Sequence, residues 1–182
     1  MKRAIIAPPA LAPAALADLK AWLGITTSRD DAELTGLLQA ALDLCEGFTG
    51  SLPLVAGCEE RLDASAQWQA LSCRPVQAIT GLAALAADGT RTTLAAADYD
   101  FDLDGDGTGR VRLRRPITQP RVAVAFTAGL APDWASLPDG LQHGALRLAA
   151  HLHRARDADG AGPTPPAAVA ALWRPWRRLR LA

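Results

Sequence analysis

The feature that most constrains this 182-residue chain is an amphipathic stretch from Ser28 to Gly50, SRDDAELTGLLQAALDLCEGFTG. Its acidic start suits the positive end of a helix dipole and offers two side-chain caps, Ser28 with Asp31 and Asp30 with Glu33. At 100° per residue, its large apolar side chains fall within an arc of about 160°. These side chains are Leu34, Leu37, Leu38, Leu42, Cys45 and Phe48. The stretch therefore predicts a helix that must pack against another part of the chain or against a second copy.

Composition narrows the possible function classes. Hydrophobic residues make up 49% of the chain but aromatic residues only 5%, so much of the apolar content is alanine and assembly with other chains would add stability. The 19 basic and 19 acidic residues balance, which argues against a protein that wraps nucleic acid non-specifically. The three cysteines, Cys45, Cys58 and Cys73, lack CxxC spacing and predict a reducing compartment without disulfides or zinc.

The chain is expected to be cytoplasmic and soluble. No apolar run reaches the roughly 18 residues of a membrane span. The basic, partly apolar start, MKRAIIAPPALAPAALA, leaves a signal peptide as the alternative.

The order of local patterns predicts an α+β fold, with a helical hairpin, two further helices and an inserted antiparallel β-subdomain. A short helix over 14–23 ends at Gly24 and forms the hairpin with the central helix. Between Cys58 and Thr127 the apolar period shifts to two, with a tight turn at Asp88-Gly89. Helical spacing returns after Ser136, and Pro175 kinks or ends a last helix. The predicted parts are the N-terminal helical hairpin (1–50), the β-subdomain (51–130), a third helix packing on the hairpin (131–160) and a C-terminal docking segment (161–182).

A run of acidic residues has a structural interpretation. Asp98, Asp100 and Asp102 face Arg110, Arg112 and Arg114 across the turn GDGTG, which predicts ion pairs across a hairpin. The motif DLDGDG at 102–107 opens like an EF-hand loop, but its twelfth position is Leu113, so a hairpin turn is favoured. A hydrolase using the acidic cluster stays an alternative only if these carboxylates are unpaired in a cleft.

The sequence predicts no metal site, no cofactor and no catalytic residue, and the chain is not expected to be an enzyme. The three histidines, His143, His151 and His153, lie in one helix at spacings that cannot bring any pair to one ion. Cys45 lies on the apolar stripe, where a buried thiol is typical.

The C-terminal segment combines the residue types enriched at interface hot spots. Its candidate docking residues are Trp173, Arg174, Trp176, Arg177 and Arg178. Three interpretations remain open: the segment packs on its own core with solvated arginines, it docks on another protein, or it contacts nucleic acid.

Four segments in a fixed order resemble the head–tail connector (adaptor) proteins of tailed phages and gene transfer agents, of the gp6-like or gp8-like kind. ALADLKAWLGI followed by RDDAELTGLLQAALDLCEGFTG is similar to their opening helical pair. LSCRPVQAITGLAALAADGTRTTL and AADYDFDLDGDGTGRVRL resemble their strand pairs, and VAVAFTAGL before LPDGLQHGALRLAAHLH resembles their strand leading into helix three. The resemblance covers about residues 14–155, and PPAAVAALWRPWR extends it into the tail.

The resemblance implies a non-enzymatic ring of about a dozen copies below the portal protein, in the neck of a virion or phage-like particle assembled in the host cytoplasm. Such a ring would extend the DNA channel, join capsid to tail and carry a stopper or tail-completion protein, without membrane contact. Connector C-termini commonly dock on the portal, which assigns that role to Trp173, Arg174, Trp176, Arg177 and Arg178. Packing between neighbouring copies is expected at Leu34, Leu38, Leu42 and Phe48. A DNA-binding accessory protein using the arginine-rich tail is the alternative.

Overall fold

The structure, a computed structural model, describes residues 3–155 and 165–177. These residues form two compact units: a sheet unit made of the residues up to Pro9 with Val55–Gly129, and a helical unit made of Ala10–Leu54 with the residues from Leu130 on. The helices are α1 (Pro13–Leu23), α2 (Asp31–Thr49), α3 (Asp139–Ala155) and α4 (Ala167–Trp173). The strands are β1 (Arg3–Ala7), β2 (Ala56–Asp63), β3 (Gln69–Ala70), β4 (Val76–Leu85), β5 (Arg91–Thr93), β6 (Tyr99–Leu103), β7 (Gly109–Leu113) and β8 (Arg121–Ala128). The predicted α+β class is confirmed.

Helices α1 and α2 form the predicted hairpin, and each helix ends at the predicted glycine. Gly24 and Gly50 adopt left-handed backbone angles, with φ of 71° and 75°, and stop the two helices. The predicted cap of Asp30 on α2 is wrong, because Asp30 makes no side-chain capping bond. The neighbouring Asp31 carboxylate instead accepts a hydrogen bond from Lys20 Nζ at 2.6 Å, which ties the end of α1 to the start of α2.

The apolar stripe of α2 is buried inside the chain itself. One cluster joins α2 to buried side chains of α1, α3 and α4, and its largest members include Trp134 and Trp173. Leu34, Leu38 and Leu42 lie in this cluster. Direct packing of Leu34 and Leu38 against a neighbouring copy is therefore a wrong expectation, because both side chains are 0% exposed, whereas Leu42 keeps 8% of its surface. Phe48, which is only partly buried, keeps that role as a prediction.

The sheet unit contains a five-stranded antiparallel sheet in the order β1-β2-β8-β4-β5 and a three-stranded sheet in the order β3-β7-β6. The predicted alternation of Val122, Val124 and Phe126 is confirmed, since all three are buried on the central strand β8. Strand β1 was not predicted. It pairs with β2, with Ile5 opposite Cys58, so the first residues belong to the sheet and not to the helical hairpin of the predicted segment 1–50.

The β6–β7 hairpin confirms the predicted turn but only part of the predicted ion pairing, since Asp100 alone of the three predicted acids pairs with the predicted arginines. Asp100 accepts from Arg112 Nε at 3.0 Å and from Arg114 at 2.7 Å, and hydrogen bonding by Arg114 and then Arg112 holds the pKa of Asp100 below its ordinary value. Arg110 pairs with Asp104 at 2.8 Å and not with its cross-strand neighbour Asp102. The acidic cluster is therefore largely paired, which does not meet the condition of the hydrolase alternative.

A bidentate ion pair spans two strands that are not neighbours in the sheet. Arg91 on β5 donates to both carboxylate oxygens of Glu59 on β2, at 2.5 and 2.9 Å. Hydrogen bonding by Arg91 lowers the pKa of Glu59, and the carboxylate in turn raises the pKa of Arg91. Because two planar groups meet with two parallel bonds, this pair is geometrically specific.

We predict that this ion pair stabilises the sheet unit at neutral pH and ceases to do so in acid. The folded-state pKa of Glu59 lies below its unfolded value, so the contribution is complete above the unfolded pKa and is lost as the pH falls through the folded pKa. A double-mutant cycle of Glu59→Gln and Arg91→Met should give a favourable coupling free energy at pH 7, which solvent screening of the exposed guanidinium keeps small. Urea unfolding should find this coupling smaller at about pH 3, which lies below the unfolded pKa of a glutamate, than at pH 7. Equal coupling at both pH values would contradict the prediction.

Candidate docking surface

The C-terminal segment, Ala167–Arg177, is the candidate docking surface. Its helix α4 ends at Trp173 and continues as a 3-10 turn over Arg174–Trp176. The turn contains Pro175, which agrees with the predicted effect of this proline, since proline lacks the N–H that a continuing helix needs. Arg178, also predicted to dock, lies outside the described residues.

Trp173 anchors this segment to the helical unit. Its side chain is fully buried, and its Nε1 donates to the Leu141 carbonyl oxygen on α3 at 3.4 Å. Its indole lies 6.0 Å from the Phe48 ring centroid on α2. Gly144 on α3 leaves the space for this indole: a Cβ there would overlap Nε1 and lie 2.8 Å from Cδ1 and Cε2. Direct docking of the Trp173 side chain on another protein is therefore a wrong expectation, because its surface is already used.

The residues after Trp173 are exposed. Trp176 is 37% exposed, and Arg174 and Arg177 are exposed on either side of it in the sequence. The Arg177 guanidinium lies 5.3 Å from the Phe48 ring centroid, in cation–π range. The segment thus presents one partly exposed indole with two cations, held in place by the buried Trp173.

A second aromatic surface of the helical unit was missed by the sequence analysis. Trp22 on α1 is exposed. Its ring makes an edge contact with His143, with 5.3 Å between the ring centroids, and its centroid lies 5.8 Å from the Arg147 guanidinium carbon. A shallow groove adjoins it, lined by Asp139, Gly140, His143, Arg147, Ala168, Ala171 and Leu172. The sequence contains a signal for this surface, because Trp22 lies outside the leucine stripe of α1 and so is not expected in the core.

The described residues offer little for catalysis or metal binding. Among residues 3–155 and 165–177, no group of three His, Cys, Asp or Glu side chains could hold a metal ion. Burial raises the pKa of the Cys45 thiol to about 12, so the thiol stays protonated and is a poor nucleophile at neutral pH. Within the same ranges, no helix combines the length and apolar character needed to cross a membrane.

Known proteins similar to this chain include chains from particle necks. A family profile described as "Phage gp6-like head-tail connector protein" matches residues 13–85. A chain from the neck of a native gene transfer agent (GTA) particle computed with C12 symmetry is 30% identical, with coverage of 98% of this chain and 97% of that one and a TM-score of 0.73. A chain from the neck of an empty GTA particle computed with C6 symmetry is 28% identical, with coverage of 100% and 98% and a TM-score of 0.81.

The virion of a native gene transfer agent contains a third similar chain, 28% identical, with coverage of 100% of this chain and 98% of that one and a TM-score of 0.77. No curated protein sequence matches significantly. The similarity to the neck chains extends over both the sheet unit and the helical unit, because the coverage is almost complete.

We predict that the space at Gly144 is required for the anchor. Gly144→Ala should lower the free energy of unfolding by about 1–3 kcal/mol, because the added methyl group displaces the Trp173 indole. The matched control is Gly36→Ala in α2, where no atom lies within 4 Å of the new Cβ. That variant should raise stability by about 0.5–1 kcal/mol through helix propensity. Urea unfolding measures both variants, and equal stabilisation by the two would show that the indole does not pack on α3.

Proposed function

Because this chain belongs to the gp6-like head–tail connector family and is a structural connector, we propose that its copies form a ring in the neck of a phage-like particle. The observation that supports the ring is the symmetry of the necks from which the similar chains come, computed as C6 and as C12. A ring of about a dozen copies fits these symmetries. The ring carries out no chemistry; it extends the DNA channel and joins the capsid to the tail.

The C-terminal segment of each copy docks on the portal protein above the ring. This assignment is supported by the division of roles within the segment. The buried Trp173 fixes the backbone, while Trp176, Arg174 and Arg177 are exposed beyond it. A contact surface that is already held in place loses less conformational entropy on binding than a free tail would lose. Arg178 belongs to the same proposed contact from the sequence alone.

The remaining partners follow from the position of a connector between head and tail. The end of the ring away from the portal carries a stopper or tail-completion protein, and double-stranded DNA passes through the channel without being bound. The equal numbers of basic and acidic residues suit this passage, because a strongly basic lumen would retain the phosphate backbone. Assembly takes place in the cytoplasm of the bacterial host.

We predict that the exposed part of the segment is required for portal attachment. The triple variant Arg174→Ala, Trp176→Ala, Arg177→Ala should bind purified portal at least tenfold more weakly, because it removes an aromatic anchor and two cations. Its folding should be unchanged, since Trp173 still holds α4. The control is Trp68→Ala, which removes a tryptophan of similar exposure (43% against 37%) from the sheet unit.

Portal co-sedimentation and electron microscopy of particle necks distinguish the possible outcomes. Normal portal binding by the triple variant would contradict the docking role. Salt-sensitive binding of free DNA by the wild-type chain, lost in the same variant, would favour the DNA-binding accessory protein instead.

A further inference from the structure

Strand β1 is exposed along almost its whole length. Every residue after Arg3 is exposed, including Ile5 at 40% and Ile6 at 59%. In the described part of the chain β1 has one neighbour, β2, and forms an edge of the five-stranded sheet. An edge strand with exposed isoleucines is a template for pairing with another chain, and such edges are normally covered in the working assembly.

A second apolar edge lies on β6, at the end of the three-stranded sheet. Phe101 pairs in register with Val111 and Tyr99 with Leu113, so these side chains share one face of the hairpin. That face is buried on β7, at Val111 and Leu113, but open on β6, where Phe101 is 52% exposed. Leu103, two residues further on the same face, is 39% exposed. The apolar interior of the sheet unit therefore continues to an uncovered edge.

The acidic charge of β6 disfavours pairing between two β6 edges. Asp100 is held by Arg112 and Arg114, but Arg110, the cross-strand neighbour of Asp102, pairs with Asp104, so Asp102 leaves a carboxylate on the β6 strand. Strand β1 contains no acidic residue. Two β6 edges would bring like charges together, whereas a β1 edge and a β6 edge would not, so the charges favour pairing between unlike strands.

The two edges belong to different sheets of the sheet unit. Strand β1 ends the five-stranded order next to β2, and β6 is reached from β5, at the other end of that order, through residues 94–98. Both strands have five residues, so their lengths match. A rotationally symmetric ring needs two different, complementary surfaces on every copy, because each copy contacts its two neighbours head to tail.

We propose that β1 of one copy adds to the free edge of β6 in the next copy and thereby joins the ring head to tail. The inference rests on the proposed ring and names the surfaces that form it. Main-chain hydrogen bonds between the strands supply affinity, and burial of exposed apolar side chains at the joint, Ile5 or Ile6 on β1 and Phe101 and Leu103 on β6, supplies the hydrophobic contribution. The occupant of the β1 edge is thus a second copy of this chain.

Cysteine cross-linking in assembled rings tests the pairing. The double variant Ile6→Cys, Leu103→Cys is treated with a short bis-maleimide after electron microscopy has shown rings, either of the purified chain or in isolated particle necks. The three native cysteines are buried and should not react. We expect a denaturing gel to show a ladder of covalent multimers, because each copy links to both neighbours. Each single variant should give dimers at most. The control is the pair Ala32→Cys, Leu103→Cys, whose first thiol lies on the exposed face of α2, and it should also give dimers at most.

The outcomes separate this inference from the proposed function. Rings that form without a ladder would overturn the β1–β6 pairing and leave the connector ring intact. The absence of rings both in solution and in particle necks would overturn the pairing together with the ring itself. A cross-link from the Ile6→Cys variant to a different protein would show that a partner, and not a second copy, covers β1.

Discussion

The insertion of Trp173 into the gap at Gly144 fixes what the helical unit can present to other molecules. Most core side chains in that unit are alanines and leucines, and the alanines allow close helix approach but fill little volume each. The two buried indoles, Trp134 and Trp173, supply the bulk that these small side chains lack. Trp134 Nε1 donates to Asp18 Oδ2 at 2.8 Å, so this indole also joins the segment before α3 to α1. The position of the C-terminal segment thus follows from the packing of one aromatic side chain.

This anchoring explains why two tryptophans only three residues apart have different fates. In a continuous helix Trp173 and Trp176 would share one side and would be buried together. The 3-10 turn that follows Trp173 keeps the two indoles on one side, because side chains three residues apart eclipse in such a turn. Trp173 fills the gap at Gly144, whereas Trp176 lies one turn further on, beside Gly140 near the start of α3, and stays 37% exposed. One indole therefore stabilises the fold and the other is partly exposed. Residue type alone does not distinguish these roles.

The sequence predicted the features that depend on local chemistry. Helix periods, the glycine stops at Gly24 and Gly50 and the β6–β7 turn are set by neighbouring residues, and all are confirmed. Features that depend on distant parts of the chain were missed or misassigned. The apolar stripe of α2 must be buried, but the sequence alone does not show which surface covers it. Leu34 and Leu38 were therefore assigned to contacts with a neighbouring copy, although α3 and α4 cover them. Strand β1 is too short to show a period and is defined by its pairing with β2.

The candidate surfaces also show how a weak contact can suffice in a symmetric assembly. Many charges of the sheet unit are used within the chain, as in the pairs of Glu59 with Arg91 and of Asp100 with Arg112. In the described segment beyond residue 164, by contrast, Arg174 and Arg177 are exposed and no acidic residue occurs. The proposed docking there would depend on a few local groups, because the chain as a whole is neutral. In a ring every copy repeats this contact, and each additional contact forms at a high effective concentration. A small exposed surface on each subunit is therefore enough to hold a connector on its partner, and the copies can remain individually weak binders until the ring has closed.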